Sequence, residues 1–206
     1  MSFTTLDDFL ARASDRLDPI QGAQSLAEVG DLDFVDEDRR SNIRAAAVLI
    51  PVIPRKDGPT ALLTQRPDTM AAHPGQVAFP GGKIDQVDKD AVAAALREAE
   101  EEVGVIPSSV DLVARAAPYV TGTAFRITPV LGVLPADFEA RPDPTEVAEV
   151  FEAPLSFLFN TDNHQTGTAV WKGQQRQYIE MPWQGFRIWG VTAGIIRDLY
   201  ANLYET

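Results

Sequence analysis

Arg97-Glu98-Ala99-Glu100-Glu101-Glu102-Val103-Gly104 sets four carboxylates in five successive positions of a segment with helical period. Like charges four apart on a helix repel one another. A run this dense beside an apolar stripe calls for a counter-charge, and a hard divalent cation is the natural candidate. At about 100° per residue, Val92, Ala95, Leu96, Ala99 and Val103 fall on one stripe that faces a core. Glu98 and Glu102 stack one turn apart at an edge of that stripe, and no pair of basic partners for them is evident. Glu101 comes next round the surface, and Glu100 lies on the opposite edge. Arg97, one turn before Glu101, is placed to pair with it. An isolated acidic run is most often a solvated face; the residues upstream change that reading.

Those residues are Gly75-Gln76-Val77-Ala78-Phe79-Pro80-Gly81-Gly82-Lys83, followed by an Asp-rich turn. Adjacent glycines after a short apolar strand let the backbone turn tightly and come close to a ligand. Taken with Gly81-Gly82, the run Arg97 to Val105 resembles the Nudix box. The helical half of that box, Arg-Glu-apolar-any-Glu-Glu-any-Gly-apolar, is matched at every specified position. The first half departs from it. Gly82 to Arg97 is one residue longer than the box, and Asp88, with five residues between it and Gly82, stands where the box has Glu. The same lengthening resembles the coenzyme A pyrophosphatase branch of the family. Its second motif, Leu-Leu-Thr-any-Arg-Ser, an internal Arg, a Gly and Phe-Pro-Gly-Gly, is read here as Leu62-Leu63-Thr64-Gln65-Arg66-Pro67, Ala71, Gly75 and Phe79-Pro80-Gly81-Gly82. All spacings agree, but Pro67 replaces the Ser and Ala71 the internal Arg.

The resemblance implies a Nudix fold, an α/β (α+β) domain with a mixed β-sheet sandwiched between helices, over residues 44–206. Residues 1–43 read as an N-terminal helix and an extension. It also implies an enzyme that hydrolyses a pyrophosphate bond with Mg²⁺ or Mn²⁺. In this branch the substrate is coenzyme A or an acyl derivative, cut to 3′,5′-ADP and (acyl-)phosphopantetheine. Pro67 and Ala71 keep a second reading open, a hydrolase of ADP-ribose, a dinucleotide or a damaged nucleotide. A third is a non-catalytic nucleotide-binding or regulatory protein, against which the intact Glu98, Glu101, Glu102 set argues. A homodimer is a further family-level expectation.

Roles follow from the chemistry. Mg²⁺ keeps several waters and takes one or two protein carboxylates plus substrate oxygens, so Glu98 and Glu102 supply a half-shell. Glu101 completes a second ion site or holds Arg97, and Arg97 orients the acids through charge-assisted hydrogen bonds. Gly81 and Gly82 bring backbone to the ligand; a Gly82 or neighbouring carbonyl as a further ligand is what the resemblance implies. Arg66, ending a strand, is a candidate for a substrate phosphate. The general base is left open between Glu146 and Glu149. His73 and His164 titrate near neutrality, but both lie in loop-like segments where surface or capping roles are the commoner outcome. Trp171, Trp183, Phe186 and Trp189 read as core before they read as an adenine platform. Tyr119 to Thr123 resembles a substrate-facing loop.

The whole-chain numbers fit one enzyme domain with terminal elaborations. The chain has 206 residues, a net charge of −12 and no cysteine, which excludes a thiol nucleophile and a zinc–thiolate site. That charge disfavours a nucleic-acid polymer as partner, while a bound cation still admits a small phosphate ester. The N-terminus lacks the basic start and apolar core of a signal peptide, and the apolar run Ala45 to Ile53 is too short to span a bilayer. The expectation is a cytoplasmic protein. Expected helices are Thr5–Leu17, Ala91–Val103 stopped by Gly104, Pro154–Leu158 and Thr192–Leu203. Expected strands are Arg44–Ile53, Thr60–Gln65, Gln76–Phe79, Val110–Ala116, Arg126–Leu134 and Glu146–Phe151, with closing strands at Thr168–Lys172, Gln175–Glu180 and Phe186–Ile188. Asp18 to Ile43, acidic and without period, is expected to run over the surface.

Overall fold

Central strands buried on both faces read as continuous apolar runs, and Arg44 to Arg55 is such a run. In the computed structural model, which describes residues 5–35, 37–69, 73–171 and 173–205, it is the axis of the sheet. In chain order the elements are α1 (Leu6–Arg16), β1 (Val29–Gly30), α2 (Glu37–Arg40), β2 (Arg44–Arg55), β3 (Gly58–Gln65), β4 (Val77–Ala78), β5 (Gly81–Lys83), α3 (Ala91–Val103), β6 (Asp111–Arg115), β7 (Tyr119–Val120), β8 (Phe125–Val133), β9 (Glu149–Pro154), α4 (Leu155–Leu158), β10 (Gln165–Trp171), β11 (Gln174–Trp183), β12 (Phe186–Trp189) and α5 (Gly190–Tyr200), which ends in a π-helical turn over Ala201–Glu205. β2 runs parallel to β8 from Arg44 opposite Phe125 to Val52 opposite Val133. On its other side it forms a hairpin with β3 across Lys56–Asp57.

β2 and β3 pair only at their hairpin end, where Val52 faces Ala61 and Arg55 faces Gly58. Beyond that they part, and residues 77–83 fill the fork. β4 pairs with β3 at Thr64 and Gln65, and β5 pairs with β2 at Ala46 to Val48. Between them Leu49 donates its N–H to the Pro80 carbonyl at 2.9 Å. Gly81 has no substitute in this wedge. A Cβ there would stand 2.6 Å from the Val48 Cα and closer still to the Ala47 carbonyl, which is backbone that cannot move aside.

The sheet is covered on both faces. α3 lies on one, where Val92, Ala95, Ala99 and Val103 meet Ala47, Leu49, Ile53, Leu62 and Val130. α1, α4 and α5 lie on the other, bringing Phe9, Ala13, Leu155, Ile196 and Leu199 onto Ile50, Val52, Leu63 and Leu131. The result is the mixed sheet between helices that the sequence predicts. Among the described residues no helix is long and apolar enough to cross a membrane.

Three expectations are corrected. The closing strands do not extend the main sheet. β10, β11 and β12 form a separate antiparallel sheet on the α5 side, with Met181 and Ile188 in that core and Phe186 stacked on Phe151 at 3.8 Å. Strand period marks which face is apolar, not which strand is the neighbour. Second, the strand expected at Glu146 begins at Glu149, because Asp143 caps a turn by accepting from the Thr145 N–H (2.8 Å) and hydroxyl (2.7 Å). Third, the acidic N-terminal segment is pinned down. Val29–Gly30 pairs with Tyr119–Val120, and Asp18 is 2 % exposed. Its carboxylate accepts from the N–H groups of Ser25 (3.0 Å) and Leu26 (3.0 Å), the Ser25 hydroxyl and the Gln24 amide. The backbone of Asp18 exchanges hydrogen bonds with Arg115, whose side chain ties the carbonyls of Pro19, Gly22 and Ala23.

Burial opposes ionisation of Asp18, but the hydrogen bonds from Ser25 and Leu26, with the Arg115 charge, outweigh it and hold the carboxyl below its ordinary value. Asp18→Ala leaves two backbone donors without an acceptor and is expected to cost about 2–4 kcal/mol of stability. The contribution is complete above the ordinary carboxylate pKa and is lost as pH falls through the lowered native one. The gap between mutant and parent in urea titrations should therefore narrow toward about pH 3. A gap unchanged by acid removes the carboxylate from the account.

Candidate active site

α3 begins and ends where its sequence dictates. The Asp90 carboxylate accepts from the Ala93 N–H at 2.8 Å, an N-cap. Gly104 closes the helix in the left-handed region (φ 72°), its N–H reaching the Ala99 and Glu100 carbonyls. Val92, Ala95, Ala99 and Val103 are buried as the period predicts, while Leu96 is only partly so. The buried face is also wider than the apolar stripe, for Ala94 and Glu102 are buried too. Both lie toward the glycine wedge. Period alone had no means of showing that a second segment covers this edge.

That cover makes the site. Glu102 is 4 % exposed and accepts from the Gly81 N–H at 3.3 Å. The Glu98 carboxylate lies directly on Gly82, where a Cβ would come within 2.5 Å of its carbon. Burial pushes the Glu102 carboxyl up to about 8, against the Gly81 hydrogen bond and the Arg66 charge and with the negative charges of Glu98 and Glu146 adding. Burial likewise raises Glu98, against Arg97 and with help from Glu101 and Glu146. Two carboxylates held out of water in mutual repulsion ask for a cation.

Arg97 is the hub beside them. It forms a two-pronged pair with Asp88 (3.0 and 2.9 Å) and reaches Glu101 at 3.0 Å, Glu98 at 3.0 Å and the Lys83 carbonyl at 3.2 Å. Asp88, the position that departs from the box, is thus the clamp on Arg97. Its side chain is 4 % exposed, and the arginine's hydrogen bonds hold its carboxyl below the ordinary range while raising Arg97 itself. Glu98 does have a basic partner after all, its own neighbour. Glu101 stays on the exposed rim, bonded to Arg97, and Glu100 is exposed on the far edge.

Arg66 directly follows β3, and its charge acts on Glu102. Its N–H donates to the Gln76 carbonyl at 3.0 Å, and its buried Nε has no hydrogen-bond partner among the described residues. Glu146 sits in the turn that Asp143 caps. Backbone bonds from Asp143 N–H to the Glu102 carbonyl (3.0 Å) and from Ala148 N–H to the Gln65 carbonyl (2.8 Å) seat this turn against α3 and β3. Its charge acts on both Glu98 and Glu102. Glu149 is instead a strand residue opposite Gln65.

The other candidates lie elsewhere. His73 is exposed in a turn at φ 56°. His164 packs beside Tyr200 with Nε2 at 2.7 Å from the Leu158 carbonyl, and burial lowers its pKa. Trp183 donates to the Glu152 carbonyl at 3.2 Å, Phe186 stacks on Phe151, and Trp189 packs on Tyr178. The Trp171 side chain and Ala71 fall outside the described residues. Tyr119 is buried, and Asp31 accepts the Gly122 N–H at 3.2 Å, so this loop is tied to the N-terminal segment.

The donor set suits a hard cation: two carboxylates one turn apart and bare backbone at Gly82. Among the described residues no three acidic, His or Cys side chains close round one point. Mg²⁺ and Mn²⁺ take one or two protein carboxylates and leave the remaining positions to substrate and water.

A family model described as the NUDIX domain matches residues 43–171. The protein named "Uncharacterized Nudix hydrolase NudL" of Escherichia coli K12 is 40% identical over 195 residues, which span 95% of this chain and 93% of that protein. NudL of Cronobacter sakazakii is 42% identical over 164 residues, 80% and 85% of the two chains. A crystal structure of a Nudix hydrolase from Alicyclobacillus acidocaldarius matches with TM-score 0.50 at 19% identity, over 79% of this chain and 94% of that one, a likeness of fold.

Glu102→Gln is expected to lower kcat at least ~10³-fold, because oriented charge is usually the largest catalytic term. Glu100→Gln should stay within about threefold, since an exposed charge on the far edge acts only through solvent. Steady-state rates of both variants decide it, and equal losses would disprove the helix phase.

A second expectation concerns protons. With Glu102 at about 8, cation binding near neutral pH must expel its proton, so affinity rises with pH up to about 8 and then levels. Titration calorimetry in two buffers of different ionisation enthalpy measures the release. Heats independent of buffer would show that Glu102 is already ionised.

Proposed function

This chain belongs to the Nudix hydrolase family, and we propose that within it the protein is a cytoplasmic coenzyme A diphosphatase using Mg²⁺ or Mn²⁺. The family's hydrolases act on nucleoside diphosphate derivatives and generally use divalent metals. The narrower reading is supported by the Leu62-Leu63-Thr64-Gln65-Arg66 segment and its spacing to Phe79-Pro80-Gly81-Gly82. The observation that carries it is Arg66, a cation with a buried, unpartnered Nε among the described residues, near the buried carboxylate of Glu102. The other motif residues brace the wedge: the Thr64 hydroxyl donates to the Ala78 carbonyl at 3.2 Å.

In this reading Glu98 and Glu102 would hold the cation, and Arg97, clamped by Asp88, keeps Glu98 in place. A bound divalent ion supplies charge neutralisation of the diphosphate and acidifies water. Arg66 holds a phosphate. Glu146 takes a proton from the attacking water, whose oxygen bonds to one phosphorus as the bridging P–O bond breaks. The departing phosphate carries the electron pair away. The products are 3′,5′-ADP and phosphopantetheine whichever phosphorus is attacked.

The test is a substrate panel with product identification in Mg²⁺ or Mn²⁺. Coenzyme A should be cut in preference to dephospho-coenzyme A, ADP-ribose and dinucleotides. Arg66→Ala should lower kcat/KM on coenzyme A about 30-fold or more, the ~2 kcal/mol lower bound for truncating one partner of a buried charge pair. Glu146→Gln should lower kcat about 10²-fold while cation affinity holds. Preference for ADP-ribose or a dinucleotide, the reading that Pro67 and Ala71 keep open, would displace coenzyme A and leave the cation chemistry standing. No turnover of any member would make the protein a binding module.

A further inference from the structure

We propose, resting on coenzyme A as the substrate, that Arg44 and Lys83 form the subsite for its phosphomonoester, the 3′-phosphate that distinguishes it from dephospho-coenzyme A. The acids with their cation, and Arg66, serve the diphosphate. A second anionic group on the same substrate needs cations of its own. Ala71, at the motif position of an Arg, carries none.

Strand register sets two cations beside the wedge. β5 runs along β2 with Gly82 opposite Ala47 and Lys83 opposite Ala46. Side chains alternate between the faces of a strand. Gly82 faces α3, where Glu98 covers it, and Ala47 belongs to the core under that helix. Lys83 and Ala46 therefore face the other side of the sheet. So does Arg44, two residues or about 7 Å further along β2. Phe125 lies opposite Arg44, and Ile127 opposite Ala46. Among the described residues no strand covers the outer edge of β5. A ligand held at Gly82 can cross this edge and meets Lys83 and Arg44 beyond it.

Arg44 is held in place but left without an acid. Its guanidinium lies over the Phe125 ring, 3.8 Å from the centroid, and donates to the Thr123 carbonyl at 3.4 Å. These contacts fix the plane of the group and leave most of its five donors free for a ligand. Arg44 and Lys83 are both exposed, and among the described residues neither pairs with a carboxylate. Arginines elsewhere in the chain do, as Arg55 with Glu152, Arg126 with Glu28 and Arg187 with Glu180. In a chain of net charge −12, two cations side by side without acids form a local exception. A planar fork beside a point-charge ammonium suits a phosphate dianion. Thr123 ends the loop that resembles a substrate-facing one, so that loop acts here by holding Arg44. A cation already oriented by its own chain loses little entropy on binding.

Titration calorimetry with 3′,5′-ADP and with 5′-AMP, which differ only in the 3′-phosphate, tests the subsite without turnover. The parent protein should bind 3′,5′-ADP about tenfold more tightly or better, the scale of a charge-assisted hydrogen bond. Arg44→Gln and Lys83→Gln should each remove most of that margin. Arg44→Lys should restore part of it, since the charge returns without the planar fork. In steady-state rates Arg44→Gln should lower kcat/KM on coenzyme A about tenfold, chiefly through KM. Lys56→Gln, at the exposed turn on the far end of β2, removes the same charge and should leave both affinities as they were. Circular dichroism melts confirm that each variant is folded. Equal affinity of the parent for the two nucleotides, a margin that survives both Gln variants, or the same loss in Lys56→Gln would each overturn the proposal. A margin that depends on Arg44 in a protein that does not cut coenzyme A would remove the coenzyme A reading and leave the subsite standing. Turnover of coenzyme A without a margin would do the reverse.

Discussion

The pressing of two carboxylates from one helix edge against the bare backbone of Gly81–Gly82 is the contact on which the rest of this molecule turns. It exists because β2 and β3 part beyond their hairpin and residues 77–83 fill the fork. Neither strand could otherwise leave its ladder without stranding backbone donors, and the wedge satisfies them, with the Leu49 N–H bonding to the Pro80 carbonyl and β4 pairing with β3 at Thr64 and Gln65. The glycines serve two neighbours at once. Gly81 lets the wedge touch β2, and Gly82 leaves room for Glu98.

The electrostatic consequences follow from that packing. Burial is the first cause of the raised pKa of both Glu98 and Glu102, and their mutual repulsion adds to it for Glu102. One arginine cannot neutralise both acids, and Arg97 is shared among Asp88, Glu98 and Glu101. The site is therefore under-compensated in positive charge, which favours a divalent ion together with an anionic substrate. The same shared arginine is held from the loop after Gly82, where Asp88 grips it with both carboxylate oxygens.

The opposite face of the sheet is devoted to holding the ends of the chain. α1 and the C-terminal turn meet through Arg12 and Arg16, which donate to the Leu203 carbonyl. The Thr192 hydroxyl at the start of α5 bonds to the Val77 carbonyl at 2.9 Å, so this face also steadies the wedge from behind. Residues that resembled a substrate loop, Tyr119 to Thr123, are drawn into the same network by Asp31.

Local pattern by itself determined α3 from Ala91 to Val103, its Gly104 end, the Glu98–Glu102 edge, the exposed Glu100 and the apolar runs of β2, β3 and β8. These depend on period, capping chemistry and backbone freedom, which neighbouring residues carry among themselves. Tertiary structure alone decided that Asp88 clamps Arg97, that Ala94 and Glu102 are buried, and that Glu146 lies in the turn before β9 while Glu149 begins the strand. It also decided that β10–β12 form their own sheet and that Asp18 anchors the N-terminal segment. Each of these pairs residues distant in sequence, or depends on which segment covers a given face. A one-dimensional period carries no term for either.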